Sequence, residues 1–132
     1  MSVLAPNIEI AAKWMNIPKH DKNIILEKLG GSTTIIVPVK LGITSPAITG
    51  DNDTLGLRVP NHKFCQKLSE AYPNPITTTS VNRTKQKPFT NPEKILSEFA
   101  REIDLIIDDG IIEGSGSTIY NFKDRELNII RL

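Results

Sequence analysis

Hydroxyl, amide and cationic side chains follow one another closely between residues 76 and 90. Ile76 and the three threonines after it favour a β-strand, and strand periodicity predicts that Thr78, Ser80 and Asn82 share one face. If this strand lies inside a sheet, each of these groups needs a hydrogen-bond partner, because an unsatisfied buried polar group costs about 1–3 kcal/mol. A bound ligand is one such partner.

Three cations, Arg83, Lys85 and Lys87, come directly after this strand in a segment without a carboxylate. An anionic ligand would suit them. A second interpretation needs no ligand: the threonine-rich strand lies at a sheet edge, its hydroxyls face water, and the lysines discourage pairing with another chain. Residues 76–90 alone are compatible with both interpretations.

Another arginine stands inside a predicted strand at residues 54–59. There Thr54, Gly56 and Arg58 share one face, while the alternate residues are leucines and a valine. Arg58 is therefore either a binding residue or a solvent-facing residue of an edge strand.

Other polar motifs have both a structural and a functional interpretation. Asp108 and Asp109 are adjacent, but consecutive strand residues point to opposite faces and D-D-G is common turn chemistry, so we expect a turn rather than a metal or general-base site. The small residues 114–118 form either an ordinary turn or a loop whose backbone approaches a ligand. We expect no zinc site, because His20 and His62 belong to no metal-ligand motif.

The composition is that of a globular chain with one domain. Its 132 residues suffice for a single core, and 16 basic residues nearly cancel 15 acidic ones, so no overall field attracts nucleic acid. No apolar run is long enough to cross a bilayer and no leader pattern follows Met1, so we expect a cytoplasmic protein without membrane contact. The lone Cys65 falls in a helical pattern, which favours core packing.

Hydrophobic periodicity predicts about six strands and four helices in alternation, which is typical of an α/β sheet layered with helices. The helices are expected to begin at Asn7, near Asp21, after Pro60 and at Asn91. The expected buried stripes of the last two helices are Phe64, Cys65, Leu68 and Ala71, and Ile95, Leu96 and Phe99. Residues 103–107 are expected to form a buried strand, and strands at 118–122 and 127–131 are expected to end the chain.

The order of the polar motifs is more specific than any one of them. Arg58-Val59-Pro60 follows one predicted strand, Ser80-Val81-Asn82-Arg83 follows another, and Thr90 opens a helix. The stretch I-D-L-I-I-D-D-G, the loop 114–118 and the closing Ile129-Ile130-Arg131 come next. This succession resembles the YrdC-like family of L-threonylcarbamoyladenylate synthases, whose pattern is R-V-P, S-A-N-R, a downstream threonine, a D-L-I-L-D-G-G-like strand, G-x-x-S-T and I-L-R.

The resemblance runs from Ser2 to Arg131 and implies one YrdC-like domain over residues 1–132, a twisted mixed sheet with flanking helices. It implies a nucleotidyltransferase that joins L-threonine, bicarbonate and ATP into threonylcarbamoyl-AMP for the t6A modification of tRNA. The family's binding residues divide into two sets in this sequence. Arg58, Ser80 and Ser117 would hold the threonine or carbamate portion, while Thr54, Asn82, Thr90 and Arg131 would hold ATP.

The resemblance also implies partners and a cofactor. Magnesium would arrive with the triphosphate of ATP and would need few protein ligands. Besides ATP, L-threonine and bicarbonate, tRNA and tRNA-modification proteins are candidate partners. No residue is singled out as catalytic.

The sequence departs from the family pattern mainly at its beginning. The family has an opening segment before the position equivalent to Ser2, with a threonine-containing turn and a basic K-x-R-P-like motif, so the resemblance implies an N-terminally truncated domain. Losing one preorganised charge-stabilising donor costs about 2.7–4 kcal/mol, and we therefore expect this chain alone to be a weak or inactive synthase. The alternative is a non-catalytic nucleotide- or RNA-binding module derived from the same fold.

Overall fold

The computed structural model describes residues 1–132, which form a six-stranded mixed sheet with four α-helices. In chain order the elements are β1 (Ser2–Leu4), α1 (Ile8–Trp14), α2 (Lys19–Leu26), β2 (Thr33–Pro38), β3 (Thr54–Arg58), α3 (Lys63–Ala71), β4 (Ile76–Thr78), α4 (Pro92–Phe99), β5 (Thr118–Lys123) and β6 (Glu126–Arg131). The predicted α/β class, with a mixed sheet and flanking helices, is confirmed. No helix is long and apolar enough to cross a membrane.

The strands lie in the order β4-β1-β3-β2-β5-β6 across the sheet. β1 pairs with β3 and β2 pairs with β5 in parallel, whereas the other neighbours are antiparallel. The parallel pairing brings the carboxyl ends of β1 and β3 together, where Leu4 and Arg58 are in register. β4 and β6 are the edge strands.

The chain divides into two compact units. The first comprises Met1–Thr79 and Ser117–Leu132 and contains all six strands with α1, α2 and α3. The second comprises Ser80–Gly116 and contains α4. The organisation of residues 1–132 as a single domain stays a prediction.

The hydrophobic core of the first unit joins one face of the sheet to α1, α2 and the residues that follow them. Asn7 begins α1 as predicted, because its side-chain oxygen accepts a hydrogen bond from the Ile10 backbone N–H at 2.8 Å. The cluster includes Val3, Ala11, Met15, Ile25, Leu29, Ile35, Val37, Leu55 and Leu57, all buried. Alternation along the strands therefore places the apolar residues on a single covered face.

A buried carboxylate links α2 to the turn between β5 and β6. Asp21, in the first turn of α2, is only 2% exposed. Its Oδ1 lies 3.0 Å from His20 Nε2 and accepts a hydrogen bond from Arg125 Nε at 3.3 Å. Arg125 lies in that turn and has a positive φ of 64°. The sequence predicted the helix but not this contact across 104 positions of the chain.

The predicted buried stripe of α3 is wrong. Phe64, Leu68 and Ala71 are exposed, Cys65 is half-buried, and the buried residue of this helix is Ser69, at 2% exposure. Apolar periodicity shows that a helix has an apolar face, but it does not show that another element covers that face.

The buried strand predicted at residues 103–107 is also wrong. These residues adopt no regular secondary structure, and Leu105 and Ile107 are 76% and 57% exposed. A strand needs a neighbour for its backbone hydrogen bonds, and the second unit contains no strand. The turn expected after it is confirmed, since the Gly110 N–H donates to Asp108 Oδ1 at 2.7 Å.

The second unit packs around α4 and a pair of aromatic rings. Asn91 caps α4 as predicted by accepting a hydrogen bond from the Glu93 N–H at 2.9 Å. Phe99 meets Phe89 edge to face, with ring centroids 5.9 Å apart. The predicted inner face of α4 holds only in part, because Phe99 and Ile95 are half-buried and Leu96 is 55% exposed.

Candidate functional site

The face of the sheet opposite the core carries polar side chains. Strand register aligns Thr78, Ser2, Gly56, Ile36 and Asn121 across it. Positions two residues away along each strand lie on the same face. The set that we call the polar face comprises Ser2, Thr34, Thr54, Gly56, Arg58, Thr78, Ser117, Asn121 and Arg131. Four predicted site residues, Thr54, Arg58, Ser117 and Arg131, are therefore on one face of one sheet.

Two pairs of hydroxyl groups lie on the polar face. Ser2 Oγ donates to the Thr78 carbonyl at 3.1 Å and lies 2.9 Å from Thr78 Oγ1. Thr34 Oγ1 lies 2.7 Å from Ser117 Oγ, and these two residues are only 4% and 8% exposed. Each pair connects two chain segments that are distant in the sequence.

Gly56 lies between the two hydroxyl pairs. A Cβ atom at this position would stand 3.0 Å from Thr34 Cγ2 and 3.2 Å from Ser2 Cβ, closer than such atoms normally approach. A glycine in a strand interior often marks a close approach of neighbouring groups. Here it allows the side chains of Ser2 and Thr34 to flank β3 from both sides.

Arg58 ends β3 at the carboxyl ends of the two parallel strands. Its backbone carbonyl accepts a hydrogen bond from the Ala5 N–H at 2.8 Å, and its side-chain Nε is buried without a hydrogen-bond partner. An unsatisfied buried donor is rare, and a ligand oxygen would satisfy it. The guanidinium fork matches a carboxylate in particular.

Thr54 stands at the opposite end of β3 from Arg58. Its Oγ1 donates to the Asp51 carbonyl at 3.0 Å, next to a short 3-10 turn at Asp51–Asp53. The two Cα atoms are four residue steps apart along the strand, a distance of about 13 Å. Thr54 and Arg58 therefore lie at opposite ends of the same strand face.

Arg131 holds the backbone of Ser117. Its Nε and Nη2 donate to the Ser117 carbonyl at 3.3 and 3.0 Å. The interaction joins the last strand to the end of the glycine-containing loop before β5. The structure thus brings together two predicted site residues, Ser117 and Arg131, through a direct contact.

The remaining predicted site residues, Ser80, Asn82 and Thr90, belong to the second unit. Ser80 Oγ donates to Asn82 Oδ1, and Asn82 Nδ2 donates to the Arg83 carbonyl at 2.9 Å. The Thr90 carbonyl accepts a hydrogen bond from the Ile112 N–H at 3.1 Å. Ser80 and Asn82 are therefore in contact, whereas Thr90 makes a separate backbone contact.

The strand predicted from Ile76 onward is shorter than expected. β4 ends at Thr78, so the prediction that Ser80 and Asn82 continue the same strand face is wrong. β4 also lies at the edge of the sheet, as the second interpretation of this stretch proposed. The turn residues after Thr78 lack a neighbouring strand, and their side chains bond to one another instead.

Carboxylates surround Arg83 in space, although none is near it in the sequence. Its Nε donates to Glu98 at 3.0 Å and its Nη1 donates to Glu102 at 2.9 Å, while its guanidinium lies 4.7 Å from the centre of the Phe99 ring. The hydrogen bonds that Arg83 donates lower the pKa of Glu102, and donating to Glu102 and Glu98 raises the pKa of Arg83. These ion pairs occupy the Arg83 guanidinium, which disfavours the interpretation that Arg83 binds an anionic ligand.

A shallow groove of about 470 Å³ lies near the carboxyl ends of β1 and β3. It is lined by residues 6–9, Val59, Gln66 and Glu70. Its two carboxylates, Glu9 and Glu70, make it unsuited to a phosphate group. The chain contains no group of three or more His, Cys, Asp or Glu side chains that could hold a metal ion.

Sequence reasoning missed Ser2 and Thr34 as members of the polar face, and it missed that both crowd Gly56. Thr34 begins an apolar run, and this pattern predicts a position within a buried strand. A glycine inside the T-L-G-L-R strand was the available signal, because glycine weakens a strand unless close packing requires it. The neighbours that crowd Gly56 are set by strand order, which local patterning does not show.

The sequence model of a protein family named after Sua5, YciO and YrdC, described as telomere recombination, matches residues 1–132. A threonylcarbamoyl-AMP synthase from Idiomarina loihiensis is 30% identical over 108 residues, covering 82% of this chain and 55% of the relative. The synthase from Pyrococcus abyssi is 30% identical over 118 residues, covering 89% of this chain and 34% of the relative. The chain thus spans about half, or less, of the length of these relatives.

Solved structures with the same fold support this match. Escherichia coli YciO superimposes with a TM-score of 0.87 at 20% identity, over 98% of this chain and 64% of its own. A P. abyssi Sua5 structure in complex with L-threonine gives a TM-score of 0.83 at 23% identity, over 98% of this chain and 38% of its own. At these identities the superpositions show a shared fold.

Proposed function

The chain belongs to the Sua5, YciO and YrdC family, and on that basis we propose that it binds L-threonine and ATP for the formation of threonylcarbamoyl-AMP. The overall reaction consumes L-threonine, bicarbonate and ATP and yields threonylcarbamoyl-AMP, pyrophosphate and water. The product would serve the t6A modification of tRNA. The names of the curated relatives and the complex of P. abyssi Sua5 with L-threonine support this proposal.

The observation that carries the proposal is the unpartnered, buried Nε of Arg58 on a face rich in hydroxyl groups. A carboxylate satisfies an arginine through two parallel charge-assisted hydrogen bonds. Arg58 would therefore bind the carboxylate of L-threonine, while the hydroxyl of Ser117 would bind an oxygen of the threonine or carbamate portion. These groups donate hydrogen bonds without adding negative charge.

In the first unit, ATP would be held by Thr54 and Arg131. Arg131 gives two donors to Ser117, and its Nη1 makes no hydrogen bond, so a phosphate oxygen could bind there. Magnesium would enter with the triphosphate, since the polar face offers hydroxyl, amide and guanidinium groups rather than carboxylates. The bound ion would neutralise charge on the phosphates.

Apart from the exposed Glu126, which the strand register places on the same side of the sheet, the polar face contains no histidine and no carboxylate, so it offers no obvious group for proton transfer. Its contribution to the reaction would be to position the two substrates and to stabilise negative charge on the carbamate and phosphate oxygens. Binding without turnover is the second candidate function, and the same feature favours it.

The test measures binding and turnover separately. Calorimetry with L-threonine and with Mg-ATP gives the affinities, and mass spectrometry after incubation with both substrates and bicarbonate detects threonylcarbamoyl-AMP and pyrophosphate. We expect Arg58→Gln to weaken L-threonine binding about ten- to a hundredfold, the loss expected for a hydrogen bond to a charged group. Arg101→Gln, which changes an exposed arginine, is the matched control and should bind like the wild type.

The outcomes distinguish the candidate functions. Binding of both ligands with product formation supports a synthase, and binding without product identifies a non-catalytic module. A wild-type chain that binds neither L-threonine nor ATP would exclude both.

A further inference from the structure

The buried hydroxyl groups of Thr34 and Ser117 carry two protons, but the hydrogen bond between them needs only one. Their two oxygens are 2.7 Å apart, and the structure gives neither hydroxyl another hydrogen-bond partner. Only one of the two protons can lie between the oxygens. The other belongs to a side chain at least nine-tenths buried, where an unused donor is unfavourable.

The orientation of the Thr34 side chain is determined by its neighbour Gly56. A Cβ atom on residue 56 would lie only 3.0 Å from the Thr34 methyl group Cγ2. The glycine at that position leaves room for the methyl group. A β-branched side chain has few allowed rotamers, so the position of the methyl group also determines the position of the hydroxyl. The Thr34 hydroxyl consequently points at Ser117 Oγ.

Ser117 is held on its backbone side as well. Arg131 donates two hydrogen bonds to the Ser117 carbonyl, at 3.3 and 3.0 Å. With its carbonyl held by Arg131 and its side-chain oxygen bonded to Thr34, Ser117 can vary mainly in the direction of its hydroxyl proton. That direction depends on which member of the pair donates to the other.

We propose that Thr34 is a positioning residue for ligand binding: its hydroxyl donates to Ser117 Oγ, so that the Ser117 proton points outward to an oxygen of bound L-threonine. The reverse arrangement would leave the unused proton on Thr34, the more buried of the two residues. Gly56 completes the arrangement, because its missing Cβ permits the required Thr34 rotamer. This inference rests on the proposed function and assigns roles to two residues on the same face.

The test uses substitutions that separate the hydroxyl from the shape of the side chain. Thr34→Val keeps the shape and removes the hydroxyl, whereas Thr34→Ser keeps the hydroxyl and removes the methyl group. Thr33→Val is the matched control, since Thr33 is adjacent in β2 but points to the other face. L-threonine affinity is measured by calorimetry and thermal unfolding by circular dichroism.

We expect Thr34→Val to weaken L-threonine binding about tenfold, as for the loss of a hydrogen bond that orients a donor to a charged group, with little change in melting temperature. Thr34→Ser should stay within about threefold of the wild type, and Thr33→Val should bind normally. Gly56→Ala should weaken binding as Thr34→Val does, because the added methyl displaces that of Thr34.

Several results would overturn the inference. If Thr34→Val binds L-threonine like the wild type, the Thr34 hydroxyl has no positioning role, and if Thr34→Ser loses as much affinity as Thr34→Val, a hydroxyl at residue 34 is not sufficient for binding and the inference fails as stated. These results leave the proposed function intact, provided that the wild type binds L-threonine. A wild type that does not bind L-threonine overturns both. Should Gly56→Ala fail to fold, the two Thr34 variants decide the question alone.

Discussion

Arg83 and Glu102 form a forked ion pair in the second unit, with Nη1 donating to Oε1 at 2.9 Å and Nη2 donating to Oε2. Glu98 accepts a further hydrogen bond from Arg83 Nε at 3.0 Å. The arginine thus joins the segment after β4 to α4 and the turn that follows it. This geometry uses the donor fork that an RNA phosphate or a nucleotide would need, so it weighs against an RNA-binding module centred on Arg83.

The ion pair predicts an unusual titration of Glu102. Its pKa is lowered chiefly by the hydrogen bond from Arg83, so its stabilising contribution is present above the ordinary pKa of glutamate and is lost as the pH falls through the lowered value. We expect carboxyl NMR titration to give a midpoint below the ordinary one. In Arg83→Gln the midpoint should return to the ordinary range.

The control for that titration is Lys87→Gln, which removes an exposed cation of the second unit and should leave the Glu102 midpoint as it is in the wild type. An identical Glu102 midpoint in the wild type and in Arg83→Gln would show that the ion pair does not form in solution.

The contact between Asp21 and Arg125 predicts a stability effect. Asp21→Ala removes a buried carboxylate that accepts a hydrogen bond from the hairpin turn, so it should lower the free energy of unfolding by about 1–3 kcal/mol. Urea denaturation measures the loss. Glu27→Ala, at an exposed position just after the same helix, should have little effect.

A double-mutant cycle assigns that loss to the contact. If Asp21 acts through Arg125, Asp21→Ala should cost less in an Arg125→Ala background than in the wild type. Equal costs in the two backgrounds would mean that Asp21 stabilises α2 by itself, for example at the helix N-terminus.

Replacing the buried Ser69 should stabilise the protein. Its Oγ is buried on α3 and has no hydrogen-bond partner. Ser69→Ala removes this unsatisfied group and improves helix propensity, so it should raise the free energy of unfolding by about 1 kcal/mol and the melting temperature by a few degrees. Calorimetry measures the change.

Ser97→Ala separates the two causes of that gain. Ser97 is exposed on α4, so its substitution changes only helix propensity and should give about half a kcal/mol or less. A loss of stability in Ser69→Ala would indicate that the Ser69 hydroxyl is hydrogen-bonded in solution.

Replacing Asn82 should weaken nucleotide binding. Asn82→Ala should leave the sheet intact and weaken ATP binding by roughly ten- to a hundredfold, as expected for a lost hydrogen bond to a charged group. Since Asn82 also bonds to Ser80 and to the Arg83 carbonyl, hydrogen exchange in residues 80–90 should accelerate. The control is Asn74→Ala, at an exposed position before β4.

Unchanged ATP affinity in Asn82→Ala would remove Asn82 from the nucleotide site. Faster exchange together with unchanged affinity would give it a purely structural role in the loop after β4.

Local sequence signals predicted the elements of this fold well where the cause is local. Asn7 and Asn91 were recognised as helix caps because a cap bonds to a backbone group two or three residues away. The turn at Gly110 followed from the same short-range chemistry. The alternation of Thr54, Gly56 and Arg58 likewise placed three residues on one face of β3, which the strand register confirms.

Predictions failed where burial or pairing depends on which distant segment of the chain contacts a residue. Four of the residues 103–107 are isoleucine or leucine, but no strand pairs with this segment. The apolar stripe of α3 is a correct description of the helix, although Phe64 and Leu68 remain 39% and 38% exposed. The sequence next to Arg83 contains no carboxylate, because its ion-pair partners stand 15 and 19 positions further along the chain.

The sequence by itself determined the α/β class, the helix starts and the family. Hydrophobic periodicity, helix caps and ordered motifs can be recognised in it because each depends on residues that are close together in the sequence. Only the tertiary structure decided that Ser117 meets Thr34 across 83 positions and that Gly56 separates two hydroxyl pairs. The physical reason is that strand order and register bring distant residues into contact, and the chain encodes them through the packing of the whole sheet rather than through any local pattern.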